Sequence, residues 1–204
     1  MKAIDANRRL RDAGGGAFGT ADASVLLGMT SSHASRVLER LCEAGQVVRL
    51  KRGVWAFPDR LEPLQVPEHL AAPLPCYVSL QSALFYHGLI SQIPHVVYAV
   101  STARTRRWTT PLATVSIHHL NPAFFFGFEV VGNGTIKMAT PEKALLDCLY
   151  LSPAKSRLFA SLPELDLHDA FDLKAAHRLL NQVPSAGLRT TLLRRMAMLQ
   201  QGSR

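Results

Sequence analysis

Apolar residues in the N-terminal part of the chain recur at helical spacing in three successive stretches. The first, Ala3–Ala13, carries Ile4 and Leu10 and stops at Gly14-Gly15-Gly16. A second helix is expected from a cap at Thr20 or Asp22, through Val25, Leu26 and Leu27, to Gly28. In the third, capped by Thr30, Ser31 or Ser32, Ala34, Val37, Leu38 and Leu41 share one face until Gly45. The pattern then shortens. Gln46–Leu50 and Val54–Phe57 are runs rich in β-branched or aromatic residues on either side of Lys51-Arg52-Gly53, which predicts a hairpin with a basic turn.

Pro58, Pro63, Pro67, Pro73 and Pro75 break any period that follows. Proline removes backbone donors and biases its predecessor toward extended geometry, so 59–75 reads as a linker with at most short turns. The expected organisation is therefore 1–58, a linker over 59–75, and a second domain over 76–204. In that second domain Ser79–His87 reads as a helix capped by Ser79, and Val96–Val100 and Ala113–Leu120 as strands. Phe128–Val131 and Thr135–Met138 flank Gly132-Asn133-Gly134, a hairpin signature. Thr140-Pro141-Glu142 opens a helix running toward Leu151, with a capping hydroxyl, a first-turn proline and an acid at the positive end of the dipole. Leu162–Met198 predicts further helices, with Pro184-Ser185 between the last two. The fold class expected is α+β: a winged helix-turn-helix, then an α+β domain that ends in helices.

Composition adds direction to this outline. The chain has 204 residues, 48% of them hydrophobic, enough to bury a core, and 23 Lys+Arg against 15 Asp+Glu give a formal net charge of +8. Such an excess favours a polyanionic partner without naming one. No apolar run approaches the roughly 18 residues of a membrane helix, and Met1–Arg9 holds no apolar signal core. The three cysteines, Cys42, Cys76 and Cys148, form no CxxC pair, so neither a zinc ribbon nor a disulfide framework is readable. A reduced, cytoplasmic protein without membrane contact is expected.

The third helix carries the candidate chemistry. Opposite its apolar face, His33, Arg36 and Arg40 fall three and four residues apart, flanked by Ser32 and Ser35. A helix of this kind enters the major groove, where arginine bonds guanine bidentately. Arg49, Lys51 and Arg52 then stand where a wing crosses a phosphate backbone. The same arginines also suit a solvated face, because Glu39 and Glu43 lie within reach of Arg36 and Arg40. Arg104, Arg106 and Arg107, read as a loop between strands, suit further phosphate contacts and a solvated loop equally. Arg189, Arg194 and Arg195 on the last helix fit a solvated surface better. Trp55 and Phe57 read as core anchors.

Enzyme motifs are missing from the chain: there is no GxxxxGK[ST], HExxH or GxSxG. His118-His119 would point to opposite faces of a strand and not share an ion. Lys143 can pair with Asp147 one helical turn on. No catalytic set, metal, cofactor or small-molecule substrate is expected. Two other readings stay open, a module that docks a protein partner directly and a plain transcription factor.

Tyr77–Leu89, with its Ser-Leu-Gln-Ser-Ala-Leu run, then Gln92-Ile93-Pro94, Val97–Ser101 and Ala139–Asp147, with Pro-Glu-Lys-Ala-Leu-Leu-Asp, resemble the AbiEi antitoxins. These are the transcriptional-regulator halves of type IV toxin–antitoxin systems. With the N-terminal helices the resemblance spans roughly Ala3 to Tyr150. It implies a bacterial autorepressor that binds inverted repeats in double-stranded DNA at its own promoter. It also implies a C-terminal domain that counters a nucleotidyltransferase toxin encoded alongside. In that family basic N-terminal residues carry DNA binding, which here means Arg36, Arg40, Lys51 and Arg52.

Overall fold

The computed structural model describes residues 2–132, 134–152, 165–166 and 171–202. The N-terminal part comprises α1 (Ala3–Asp12), β1 (Ala17–Gly19), α2 (Thr20–Leu27), α3 (Ser31–Glu43), β2 (Val48–Lys51) and β3 (Val54–Ala56). The three strands form an antiparallel sheet in the order β1-β3-β2. Asp22 accepts a bond from Gly19 N at 2.8 Å and Thr30 accepts from His33 N, so each of α2 and α3 has an oxygen on an otherwise unpaired first-turn donor. Gly28 ends α2 in the left-handed region, φ 64°, where a Cβ would be strained.

One core joins these elements: Ala6, Leu10, Ala23, Leu27, Val37, Leu38, Leu41, Val47, Trp55 and Phe57. Trp55 and Phe57 are its anchors, as expected. Ile4 and Val25, read from the sequence as apolar marks, lie instead on the outside at 74% and 81% exposure. The expected helices are present, but α1 turns Ala6 and Leu10 inward, and α2 turns Ala23 and Leu27 inward.

The proline-rich segment differs from the expected linker. A 3-10 turn, Pro63–Gln65, leads into α4 (Val66–Ala71). Pro63 and Pro67 sit in the opening turns of these two elements, where no backbone N–H is needed, so they start helices rather than prevent them. Val66, Leu70 and Ala71 pack with Leu50 and Ala56 of the hairpin and with Cys76, Ala99, Val115 and Ile117 beyond it. Ahead of α4 the chain is tied back to α1. Asp59 accepts both guanidinium nitrogens of Arg11, at 2.8 and 2.9 Å, and Arg60 donates to the Arg11 carbonyl. The approach is close: a Cβ on Gly16 would stand 2.4 Å from the Arg60 carbonyl oxygen.

The remaining strands are β4 (Cys76–Val78), β5 (Val97–Ser101), β6 (Arg106–Thr109), β7 (Thr114–His119), β8 (Phe128–Val131) and β9 (Ile136–Ala139). They form one mixed sheet in the order β6-β7-β5-β4-β9-β8, with β4–β9 and β5–β7 parallel. Successive residues point to opposite faces. Cys76, Ala99, Val115 and Ile117 therefore meet α4 and the hairpin, while Tyr77, Val100 and Met138 meet α5 (Leu80–Tyr86) and α6 (Pro141–Leu151). Thr140 caps α6 as expected, accepting from Lys143 N. Two more helices, α7 (Leu173–Asn181) and α8 (Ala186–Gly202), cover α6 and are separated at Pro184-Ser185. The helical expectation for 162–164 and 167–170 lies outside the described residues.

Candidate nucleic-acid interface

Helix α3 divides as its sequence predicts. Ala34, Val37, Leu38 and Leu41 are buried, whereas Ser32, His33, Arg36, Glu39, Arg40 and Glu43 are exposed and Ser35 is half-buried. Thr30, His33, Arg36 and Arg40 line a shallow open groove along this face, with Glu39 and Glu43 on its walls. The Arg36–Glu39 and Arg40–Glu43 pairs that the spacing allows do not form. Among the described residues neither arginine joins an ion pair, and Arg40 donates weakly to the Arg36 carbonyl at 3.4 Å. Both guanidinium groups therefore keep donors free for an anion.

The hairpin holds its three cations in three different ways. Arg49 faces Trp55 across the β2–β3 ladder, its guanidinium 5.4 Å from the indole centroid. The Trp55 indole N–H is bonded to Thr20 at 2.9 Å, which fixes the ring beneath Arg49. Arg52 is exposed at the turn. Lys51 departs from the expected role of a free phosphate ligand. Its ammonium donates to the carbonyls of Leu70 and Ala72, at 2.8 and 3.1 Å, at the end of α4. Burial, and secondly the charge of Arg106, hold its pKa below the usual lysine value. Lys51 anchors the turn to α4, because those carbonyls have no helical partner of their own.

Arg104 and Arg107 are exposed, and so is Arg106. Arg106 and Arg107 belong to strand β6 and not to a loop, which corrects the expectation. The usual strand signals here are only Thr105 within the run Arg-Thr-Arg-Arg and the Trp108 that follows. That indole lies 5.0 Å from the Arg106 guanidinium. On α8, Arg195 points inward and donates to the Leu149 carbonyl at 2.6 Å, whereas Arg194 is exposed.

The strongest polar constellation lies elsewhere and is sealed. Lys143 and Asp147 pair within α6, as their spacing allows, but both are 0% exposed. Asp147 also accepts from Ser79 Oγ at 2.7 Å and Tyr77 OH at 3.0 Å, and the Lys143 ammonium lies 3.7 Å from the Phe124 centroid. Burial pushes the Asp147 carboxyl up and the Lys143 ammonium down, and each partner's charge opposes the other's shift. Ser79 thus spends its hydroxyl on Asp147 rather than capping α5, beside Leu80 with its positive φ of 57°. Glu142, read as a first-turn acid, is buried and accepts from Asp172 N ahead of α7. None of these groups opens onto solvent, so they organise the fold. Among the described residues no group of His, Cys, Asp and Glu could hold a metal ion. His118 is buried and His119 exposed, on opposite faces of β7. Among the described residues no helix is long and apolar enough to cross a membrane.

Residues 8–58 match a family model described as transcriptional regulator, AbiEi antitoxin. The match runs from α1 through β3 and takes in α3 and the whole hairpin. Over this segment the chain is similar to the AbiEi antitoxin and transcriptional-regulator family. No curated protein matches the chain.

Proposed function

We propose that this protein is a double-stranded-DNA-binding autorepressor and antitoxin, which reads repeats at its own promoter through α3 and the hairpin. The observation that carries the proposal is the outer face of α3: His33, Arg36 and Arg40 exposed, with both arginines outside any ion pair among the described residues, in a segment similar to a regulator family. In this reading Ser32, His33 and Arg36 meet base edges, Ser35 flanks them, and Arg40 meets base or phosphate. Arg49 and Arg52 contact backbone, and Lys51 serves by holding the turn against α4. The antitoxin part, countering a nucleotidyltransferase toxin, follows from the family resemblance and is assigned to the C-terminal half.

Arg36→Ala should cost about 1–3 kcal/mol on the specific site and relax sequence preference there. The test is fluorescence anisotropy with DNA from immediately upstream of the gene and with a random duplex of equal length. Loss of discrimination in Arg36→Ala/Arg40→Ala supports the reading. Unchanged affinity and unchanged discrimination in that double variant overturn it. Co-expression with any nucleotidyltransferase encoded alongside tests the antitoxin part, which fails if growth arrest is not relieved.

A further inference from the structure

Between Glu68 and Glu129 the chain contains no Asp or Glu, and its only Lys or Arg residues there are Arg104, Arg106 and Arg107. All three are exposed, and two lie on β6, the terminal strand of the six-stranded sheet. The fold brings this edge to the hairpin. Arg106 stands opposite Ile117 and Trp108 opposite Val115 in the β6–β7 ladder, so Arg106 lies on the sheet face that packs against Leu50 and Ala56. Its guanidinium is laid over the Trp108 ring, which limits the freedom it would lose on meeting a ligand. Arg107 leaves the strand on the other face. A row of phosphates lying along the edge would therefore be flanked by cations from both sides.

We infer that the β6 edge continues the cationic surface of the hairpin, so that Arg104, Arg106 and Arg107 grip the backbone of the duplex that α3 reads. The inference rests on the DNA-binding reading above. Phosphate is the ligand chemistry that fits, because the patch has cations and a solvent-facing strand edge but no carboxylate neighbour in its own segment. Contacts of this kind carry no sequence information. They lengthen the footprint and steepen the salt dependence, by about 0.9 in the slope of log K on log salt for each phosphate met.

The experiment compares Arg104→Gln/Arg106→Gln/Arg107→Gln with the unaltered full chain, on upstream DNA and on a random duplex of about 30 base pairs, long enough to pass α3 and the hairpin. The slope is expected to fall by about 2–3 on both duplexes, with the affinity ratio between them unchanged. Arg104→Gln/Arg107→Gln leaves the Trp108 stack in place and guards against a folding effect; its slope is expected to fall by about 1–2. An unchanged slope in both variants overturns the inference. So does a result in which the triple variant self-associates at constant DNA affinity, since arginines then merely guard a sheet edge. The Arg36→Ala/Arg40→Ala variant separates the two levels. If it loses discrimination while the β6 variants change nothing, only the present inference falls; if it too changes nothing, the DNA-binding reading falls.

Discussion

Asp147→Ala removes the acceptor on which three buried donors converge: Lys143, Ser79 and Tyr77. The largest consequence is an ammonium left without a counter-ion among Phe124, Phe126 and Tyr77. Breaking one side of a buried pair costs about 3–5 kcal/mol. An upper limit follows from proton release. Taking the proton off a lysine of ordinary pKa 10.5 at a pH near 7 costs about 1.36 kcal/mol per unit, or roughly 4.8 kcal/mol. Two orphaned hydroxyls add about 1 kcal/mol or more each. The expected loss is therefore about 5–7 kcal/mol, comparable with the whole stability of many domains.

Urea unfolding followed by far-ultraviolet circular dichroism measures this loss, and pH gives it a signature. In the variant Lys143 folds neutral and unfolds charged, so the unfolded chain holds the extra proton. Stability must then rise with pH above neutrality, by up to about 1.4 kcal/mol per unit, until the ordinary lysine pKa is reached. Lys143→Met has the opposite sign: a buried Asp147 that folds protonated makes stability fall as pH rises. Lys143→Met/Asp147→Asn removes both charges, keeps an acceptor for Ser79 or Tyr77, and should cost far less than the sum of the single changes. A loss below about 1 kcal/mol in Asp147→Ala, or singles that add to the double, would refute a sealed and mutually dependent pair.

Two further outcomes follow from the described contacts. Lys51→Ala withdraws a charged donor from the Leu70 and Ala72 carbonyls; it should destabilise by about 1–3 kcal/mol and weaken every duplex alike by anisotropy, and a change confined to one DNA sequence would contradict the anchoring role. His69 and His118 are both held below the ordinary imidazole pKa of 6.5, chiefly by burial. The unfolded chain therefore takes up these protons first, so stability is full above about 6.5 and declines as pH falls from there toward the folded pKa values. Thermal melts of His69→Asn/His118→Asn should show a shallower decline than the unaltered chain, and an equal decline would sink the assignment.

The parts legible in the sequence are those that single-element periodicity governs. Ala34, Val37, Leu38 and Leu41 turn inward because a helix of that spacing has one apolar side, which leaves His33, Arg36 and Arg40 outside. Gly132 and Gly134 announce the β8–β9 hairpin, and Thr140-Pro141 announces α6, through local backbone chemistry. Elements whose cause is tertiary were not legible. Strand β1 is three residues, Ala-Phe-Gly, made a strand by pairing with β3. Strand β6 is read as a cationic loop until β7 supplies its ladder. The spacing of Lys143 and Asp147 announces a pair, but not that Tyr77 and Ser79, from the far side of the chain, would close over it.

That difference bears on how the two halves of the chain act together. The hairpin is shared: Trp55 and Phe57 face the core of α1, α2 and α3, while Leu50 and Ala56 face α4 and the six-stranded sheet. Lys51, at the turn between β2 and β3, is bonded to the end of α4, and Arg106 is near enough for its charge to depress the Lys51 pKa. A displacement of β6, β7 or α4 cannot leave the hairpin where it was without breaking those two bonds or opening packing between close-fitting side chains. The hairpin is the element that carries Arg49 and Arg52 toward DNA in the proposed reading. In that reading, a partner that binds the C-terminal half and shifts α4 or the β6–β7 ladder acts on DNA affinity through the hairpin, and by linkage DNA acts equally on the affinity of that partner.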